Sequence, residues 1–245
     1  RGRPGGMSMS AQKHSLAVRF LPSLTDAAFF MPLVLLFGSM GGARTLLHDG
    51  DTGWHIRAGE WMLQNGRVPD RDFFSFTKPG EPWYAWEWLW DVSFAWLHQH
   101  WGMAAVLLAS TFVLSLTFGL LFRLVRRKCD HDIIAIAITL LAAAGASMHW
   151  LARPHLFTLL FIVIFYSLLE RVRDGQTRWL WWLPPLMVLW TNLHGGFLAG
   201  IMLVLAYAAG EMAAWLVEAE KENRQAALAR SKPFLLTALG CAAAT

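Results

Sequence analysis

The chain has 245 residues, of which 56% are hydrophobic and only 16% charged, with 14 tryptophans and a mean hydropathy of +0.39. That composition excludes an ordinary water-soluble domain, which rarely carries such long apolar runs. The formal charge of +4 and the pI near 9.4 trace to short basic segments between those runs. They imply no nucleic-acid partner; the implied partner is a lipid bilayer.

Crossing the hydrocarbon of a bilayer takes about 20 mostly apolar residues in a helix. Runs of that kind lie at 27–47, 103–123, 132–150, 155–170, 178–193 and 196–217. The fourth and fifth are short and need flanking aromatic residues to complete a crossing. Lipid offers unpaired backbone groups no partner, so these runs are expected as helices. The predicted class is all-α, a polytopic transmembrane bundle. Residues 1–26 read as a cytoplasmic tail, with Met7 or Met9 as a natural start, and 27–245 as a multi-span membrane domain. The first run is too long for a signal peptide and lacks a small-residue cleavage site. "PFLLTALGCAAAT", from Pro233, reads as the opening of a seventh helix, which makes the chain the N-terminal piece of a larger protein. Cys129 and Cys241 fall in an inner loop and an apolar run, so no disulfide is expected.

Lysine and arginine set the orientation. Arg1, Arg3, Lys13 and Arg19 precede the first run; Arg123, Arg126, Arg127 and Lys128 follow the second. Arg171, Arg173 and Arg178 follow the fourth, and Lys221, Arg224, Arg230 and Lys232 the sixth. These alternate segments share one side, expected to be the cytoplasm. The loop 48–101 instead holds Asp49, Asp51, Glu60, Asp70, Asp72, Glu81, Glu87 and Asp91 against Arg57, Arg67, Arg71 and Lys78, and is expected outside. His48, His55, His98, His100, His149, His155 and His194 fall on that outer side, and only His14 and His131 on the inner.

The outer loop is too long and too patterned for a simple connector. "DTGWHIRAGEWMLQNG" predicts a short helix capped by Asp51 or Thr52 and stopped by Asn65-Gly66. Trp54, Ala58 and Trp61 give it an apolar stripe. "KPGE", 78–81, predicts a tight turn centred on Pro79 and Gly80. "WEWLWDVSFAWLHQHW" predicts a helix at the headgroup level, where tryptophan anchors well.

Two readings stand for Asp49 and Asp51. Beside apolar walls, a carboxylate can act as general base toward an acceptor hydroxyl; or the pair is a helix cap and a solvated turn. The D-x-D spacing also admits a divalent metal, and no other cofactor is implied. Arg153 either grips a phosphate with its planar fork or snorkels to lipid headgroups; Pro154 behind it can open the next helix. "TNLHGG" either presents Asn192 and His194 above a close helix turn or is a plain capped turn. His98 and His100 do not have zinc spacing. Glu211, inside the sixth run, reads as paired or snorkelling rather than catalytic.

The segment "DGDTGWHIRAGEWMLQNGRVPDRDFFSFTKPGEPWYAWEWL" resembles the first outer loop of bacterial membrane proteins of the type C glycosyltransferase (GT-C) superfamily. That group includes the protein O-mannosyltransferases and the aminoarabinose transferases of lipid A. The resemblance rests on Gly59, Gly66, Pro69, Asp72, Phe74 and Ser75, then Trp83, Trp86, Glu87 and Trp88, and extends loosely over residues 25–200. It implies transfer of a sugar from a polyprenyl-phosphate carrier, with inversion, at the periplasmic face of the bacterial inner membrane. It assigns the base to Asp51, with Asp49 as neighbour or substitute. Arg153 would then hold donor phosphate, and His55, His155, Asn192 and His194 would orient donor or acceptor. The mannosyltransferase motif pairs its acid with an adjacent second acid, whereas Thr52 follows Asp51 here, so the choice within the pair and any metal requirement stay open. Two other classes remain: a transporter or flippase-like carrier, and a non-catalytic scaffold of a polysaccharide assembly complex. The spans lack midplane charge apart from Glu211, and the one obvious helix break is at Pro184-Pro185, which disfavours the carrier.

Overall fold

The computed structural model describes residues 22–218 and 221–245. Most of the expected tail, with Arg1, Arg3, Lys13 and Arg19, lies outside the described residues. Among them every regular element is a helix, and the only strand-like pairing is an isolated antiparallel bridge between Arg71 and Pro82. Four helices are long and apolar enough to cross a membrane.

Helix α1 (Leu24–Gly38) starts at a capping box, in which Ser23 and Asp26 satisfy each other's free backbone amides. It does not run on to 47 as its apolar sequence suggests. Gly41 and Gly42 take φ of +87° and +56°, turning the chain before a single helical turn, α2 (Ala43–Leu46). The 15 residues of α1 reach only about 22 Å, short of the roughly 30 Å of hydrocarbon.

Helix α3 (Asp51–Asn65) stops at Gly66, which is left-handed at φ 64°, as Asn65-Gly66 indicated. Its cap differs from expectation. Asp49 Oδ1 accepts from the Asp51 amide at 2.9 Å, and the Thr52 hydroxyl leaves the helix to donate to the Ala152 carbonyl at 3.0 Å. The buried face differs too: it carries Thr52, His55, Ile56, Ala58, Gly59 and Met62, while Trp54 is exposed. The cause is a close crossing with the next helix. A Cβ on Gly59 would lie 1.9 Å from the Asp91 carbonyl oxygen, so the glycine face must turn inward.

In the loop beyond, Gly80 takes φ +79° and Glu81 N–H donates to Lys78 O at 3.3 Å, giving the expected turn. Asp72 Oδ1 accepts from the amides of Phe74 and Ser75 at 2.8 and 2.9 Å. Those bonds hold its carboxyl below the usual range and give the D-x-F-S stretch a local structural role.

Helix α4 (Trp88–Cys129) joins the expected interfacial helix to the second apolar run, bending at Gly102, φ 71°. After α5 (Asp132–Ala146) and a short 3-10 turn, Pro154 precedes α6 (His155–Arg173). The fifth run is not one helix: it divides into a 3-10 turn, Thr177–Trp182, and the short α7 (Leu183–Leu193). Pro184 and Pro185 occupy the first turn of α7, where a missing N–H costs nothing, so they start a helix instead of breaking one. Helix α8 (Leu198–Val217) is followed by α9 (Lys221–Ala243), which begins well before Pro233 because 221–230 is rich in strong helix formers. Arg230 Nε donates to Glu211 Oε2 at 2.8 Å, pairing Glu211 as expected and tying α9 to α8.

Trp90, Trp150 and Trp190 are fully buried in the core with Phe122 and Phe165, while Trp101, Trp181 and Trp182 are exposed. The outward faces of α5 and α8 are apolar and uncovered, as at Leu141 and Met202, a surface suited to hydrocarbon. The bundle's two ends separate the polar groups. Residues near 46–55, 149–155 and 192–196 gather at one; at the other, Arg126–Asp132 at 2.7 Å ties the start of α5 to the end of α4, and Lys128–Glu170 joins the end of α4 to α6. Cys129 and Cys241 are free.

Candidate functional site

The site is built where the turn before α6 meets the start of α3. Ala152 N–H donates to Leu46 O at 2.8 Å, and the Thr52 hydroxyl donates to Ala152 O at 3.0 Å. These bonds set Arg153 in front of the two aspartates. Its Nη1 meets Asp49 Oδ2 at 2.5 Å, and its Nη2 meets Asp51 Oδ2. One guanidinium thus spans two carboxylates in a partly exposed cluster, and its buried Nε has no hydrogen-bond partner. The Asp51 amide, then Arg153 against an opposing contribution from burial, hold the Asp49 carboxyl below its usual range.

The histidines form a second layer. His155 Nε2 lies 2.6 Å from the His149 carbonyl, which can only accept, so that nitrogen carries the proton. The His155 and His194 rings lie 6.3 Å apart. His194 Nδ1 accepts from the Gly196 amide at 3.0 Å, so in the neutral ring the proton sits on Nε2. The Thr158 hydroxyl lies 2.8 Å from the same Nδ1 and accepts from Trp190 Nε1 at 3.0 Å. Burial first, then the charges of His155, Arg153 and His55, push His194 down to about 4. It is therefore a neutral donor at ordinary pH. Gly196 is required here, since a Cβ would meet Thr158 Oγ1 at 2.4 Å; Gly195 has open space and no such role.

His55 and Asn192 do not join the Arg153 cluster. His55 is buried against α4 with Nδ1 2.7 Å from Asp91 Oδ1, between a stacked Trp54 at 3.7 Å and the edge of Trp90 at 5.3 Å. Asn192 Oδ1 accepts from Trp88 Nε1 at 2.5 Å, and its amide donates to Val188 O at 2.7 Å. It sits on the rim of a cavity of about 310 Å³ walled by Trp83, Tyr84 and Trp86. Asp91 has no expected role from sequence. Its mark was an acid inside the aromatic "WLWDVSF", where an apolar face should run unbroken.

Among the described residues no group of three or more His, Cys, Asp or Glu side chains could hold a metal. The paired aspartates already face a guanidinium where a cation would sit, so the divalent metal that D-x-D admits does not fit this arrangement. The class defined by fold and site is a helical protein with four helices long and apolar enough to cross a membrane and an ion-paired cluster at one end. No family model, curated protein or solved structure matches the chain.

Proposed function

We propose that this chain is part of a polytopic glycosyltransferase of the bacterial inner membrane, N-terminus in the cytoplasm, with the Asp49–Asp51–Arg153 cluster at the periplasmic mouth. Its donor is a sugar on a polyprenyl-phosphate carrier. The observation that carries the reading is the Arg153 fork spanning two carboxylates at a partly exposed helix start. A guanidinium in that geometry recognises phosphate bidentately. An arriving donor phosphate competes for the fork and frees a carboxylate beside the sugar.

Asp51 is the better base, because Asp49 spends one oxygen on the Asp51 amide. The acceptor hydroxyl gives its proton to Asp51, and its oxygen attacks the anomeric carbon. The bond from that carbon to the carrier phosphate breaks, and the phosphate leaves with the electron pair, its charge facing Arg153. Neutral His194 offers Nε2–H to a sugar or phosphate oxygen.

The assay is sugar transfer from a polyprenyl-phosphate-linked donor by the full-length protein in detergent, with thermal stability in parallel. Asp51→Asn keeps shape but removes the proton acceptor, so transfer falls by about 10²–10⁴. Arg153→Lys keeps charge but loses the fork, and mainly raises the donor KM. Normal transfer by Asp51→Asn, Asp49→Asn and their combination rejects the mechanism. The same ion pairs favour a second reading, a non-catalytic scaffold latched by Arg153. That reading expects no transfer from the wild type and a loss of stability in all three variants.

A further inference from the structure

The end of the bundle opposite the aspartate cluster holds a cavity of about 460 Å³ between α4 and α6. Its charges are unequally satisfied. Glu170 is buried and fully engaged by Lys128, the Tyr207 hydroxyl and Arg173 at 3.5 Å. It therefore cancels none of the remaining cations. Arg171 lies 4.6 Å over the Trp179 ring, and its Nε is buried with no hydrogen-bond partner. The stack fixes the guanidinium plane and leaves its donor edge free. Arg127 lines the same cavity and pairs with no carboxylate among the described residues. Asp174 is the one acid left to set against these two guanidinium groups. Gln176 spends its carbonyl on Trp179 Nε1 at 3.0 Å, so it has only N–H groups to offer. This donor-rich, acceptor-poor set suits a tetrahedral oxyanion and neither a cation nor an apolar group.

The setting points to the source. The chain runs from Gln176 directly into the turn Thr177–Trp182, whose Trp181 and Trp182 are exposed, the placement of aromatic residues at headgroup depth. An apolar cavity of about 400 Å³, with Leu180, Trp181 and Leu236 in its wall, adjoins the same turn. Basic pockets between helices at a membrane surface hold anionic headgroups. We propose that Arg127 and Arg171 bind the phosphate of an anionic phospholipid, its chains lying along the 177–182 turn. This site is independent of the transferase reading, which concerns the other end of the molecule.

The test is native mass spectrometry of the 245-residue chain in neutral detergent, titrated with phosphatidylglycerol or phosphatidylcholine of equal chain length. Phosphatidylglycerol is expected to bind about tenfold more tightly, because phosphatidylcholine offers the same phosphate but brings its own choline cation against the two arginines. Arg127→Gln/Arg171→Gln should abolish that preference, and Arg44→Gln, at the opposite end, should keep it. Arg127→Gln alone, at an exposed and unpaired side chain, should lower the preference in a chain whose fold is undisturbed. Displacement of phosphatidylglycerol by millimolar inorganic phosphate supports the phosphate as the bound element. Binding of inorganic phosphate without any lipid preference overturns the lipid source and assigns the site to a soluble phosphate. Equal retention of both lipids with no phosphate binding, or an undiminished preference in the Arg127→Gln and double variants, overturns the site.

Discussion

Replacing Gly59 by alanine tests the packing that positions α3 against α4. The added Cβ would lie 1.9 Å from the Asp91 carbonyl oxygen and 2.7 Å from Ala95 Cβ. Reaching even 3.0 Å from that oxygen requires α3 to withdraw by 1.1 Å, the difference 3.0 − 1.9. The clash is with backbone, so no rotamer change relieves it. Passed on in full, that movement stretches His55–Asp91 from 2.7 to 3.8 Å, beyond hydrogen-bond range. Overpacking alone costs about 1–3 kcal/mol, and parting a buried hydrogen-bonded pair adds about 1–3 kcal/mol for the groups left unsatisfied. A loss of about 2 kcal/mol or more is expected. Gly53 on the same helix has nothing within 4 Å of its Cβ position, so Gly53→Ala should be neutral or stabilise by about 0.5–1 kcal/mol. Unfolding by dodecyl sulfate in a mild detergent, followed by tryptophan fluorescence, compares the two. A Gly59→Ala protein within about 0.5 kcal/mol of wild type, a typical surface effect, would refute the reasoning.

Three further outcomes are expected. A cysteine at Ser75 should react with an impermeant thiol reagent in cells whose outer barrier is removed, and one at Gln176 should not; reversed labelling would invert the orientation. Because folding depresses the Asp49 carboxyl, its stabilisation is complete above the unfolded value of 3.8 and is lost as pH falls through the lower folded one. Acid unfolding of Asp49→Asn should therefore be less steep below pH 3.8 than that of wild type. Nitrogen NMR of labelled histidine should show His194 with its proton on Nε2 and no titration between pH of about 5 and 8, given its value of about 4.

What was legible in the sequence was set by local chemistry. The stop of α3 at Asn65-Gly66 and the turn at Pro79-Gly80 each depend on a glycine that takes positive φ. Arg153 stood out as an arginine outside the basic segments expected in the cytoplasm. The misread parts were decided by contacts distant in the chain. Of the stripe Trp54, Ala58 and Trp61, Ala58 is buried with Trp61 packed beside it, but Trp54 is exposed, because Gly59 permits the close crossing with Asp91 and draws Thr52, His55 and Ile56 inward. Asp91 counted as one more outer-loop acid, since nothing in its neighbourhood says that His55 lies opposite. Hydropathy averaging carried the first run across Gly41-Gly42, although two adjacent glycines are a break in backbone terms. It carried the fifth run across the 3-10 turn in the same way.

The bond between Arg153 and Asp49 joins residues 104 apart, and that separation is also a time. At synthesis rates of about 5–20 residues per second, the arginine leaves the ribosome roughly 5–20 seconds after the aspartate. Through that interval α3 can wind and stop at Gly66, and Asp49 can accept from the Asp51 amide, but the carboxylate oxygens that meet Arg153 have only water to answer them. The clasp of Leu46 and Thr52 onto Ala152 waits equally long. Closure of the cluster therefore waits until α4 and α5 have been delivered. A nascent chain arrested before residue 153 would display both acids without their arginine, a marker by which stalled copies could be told apart.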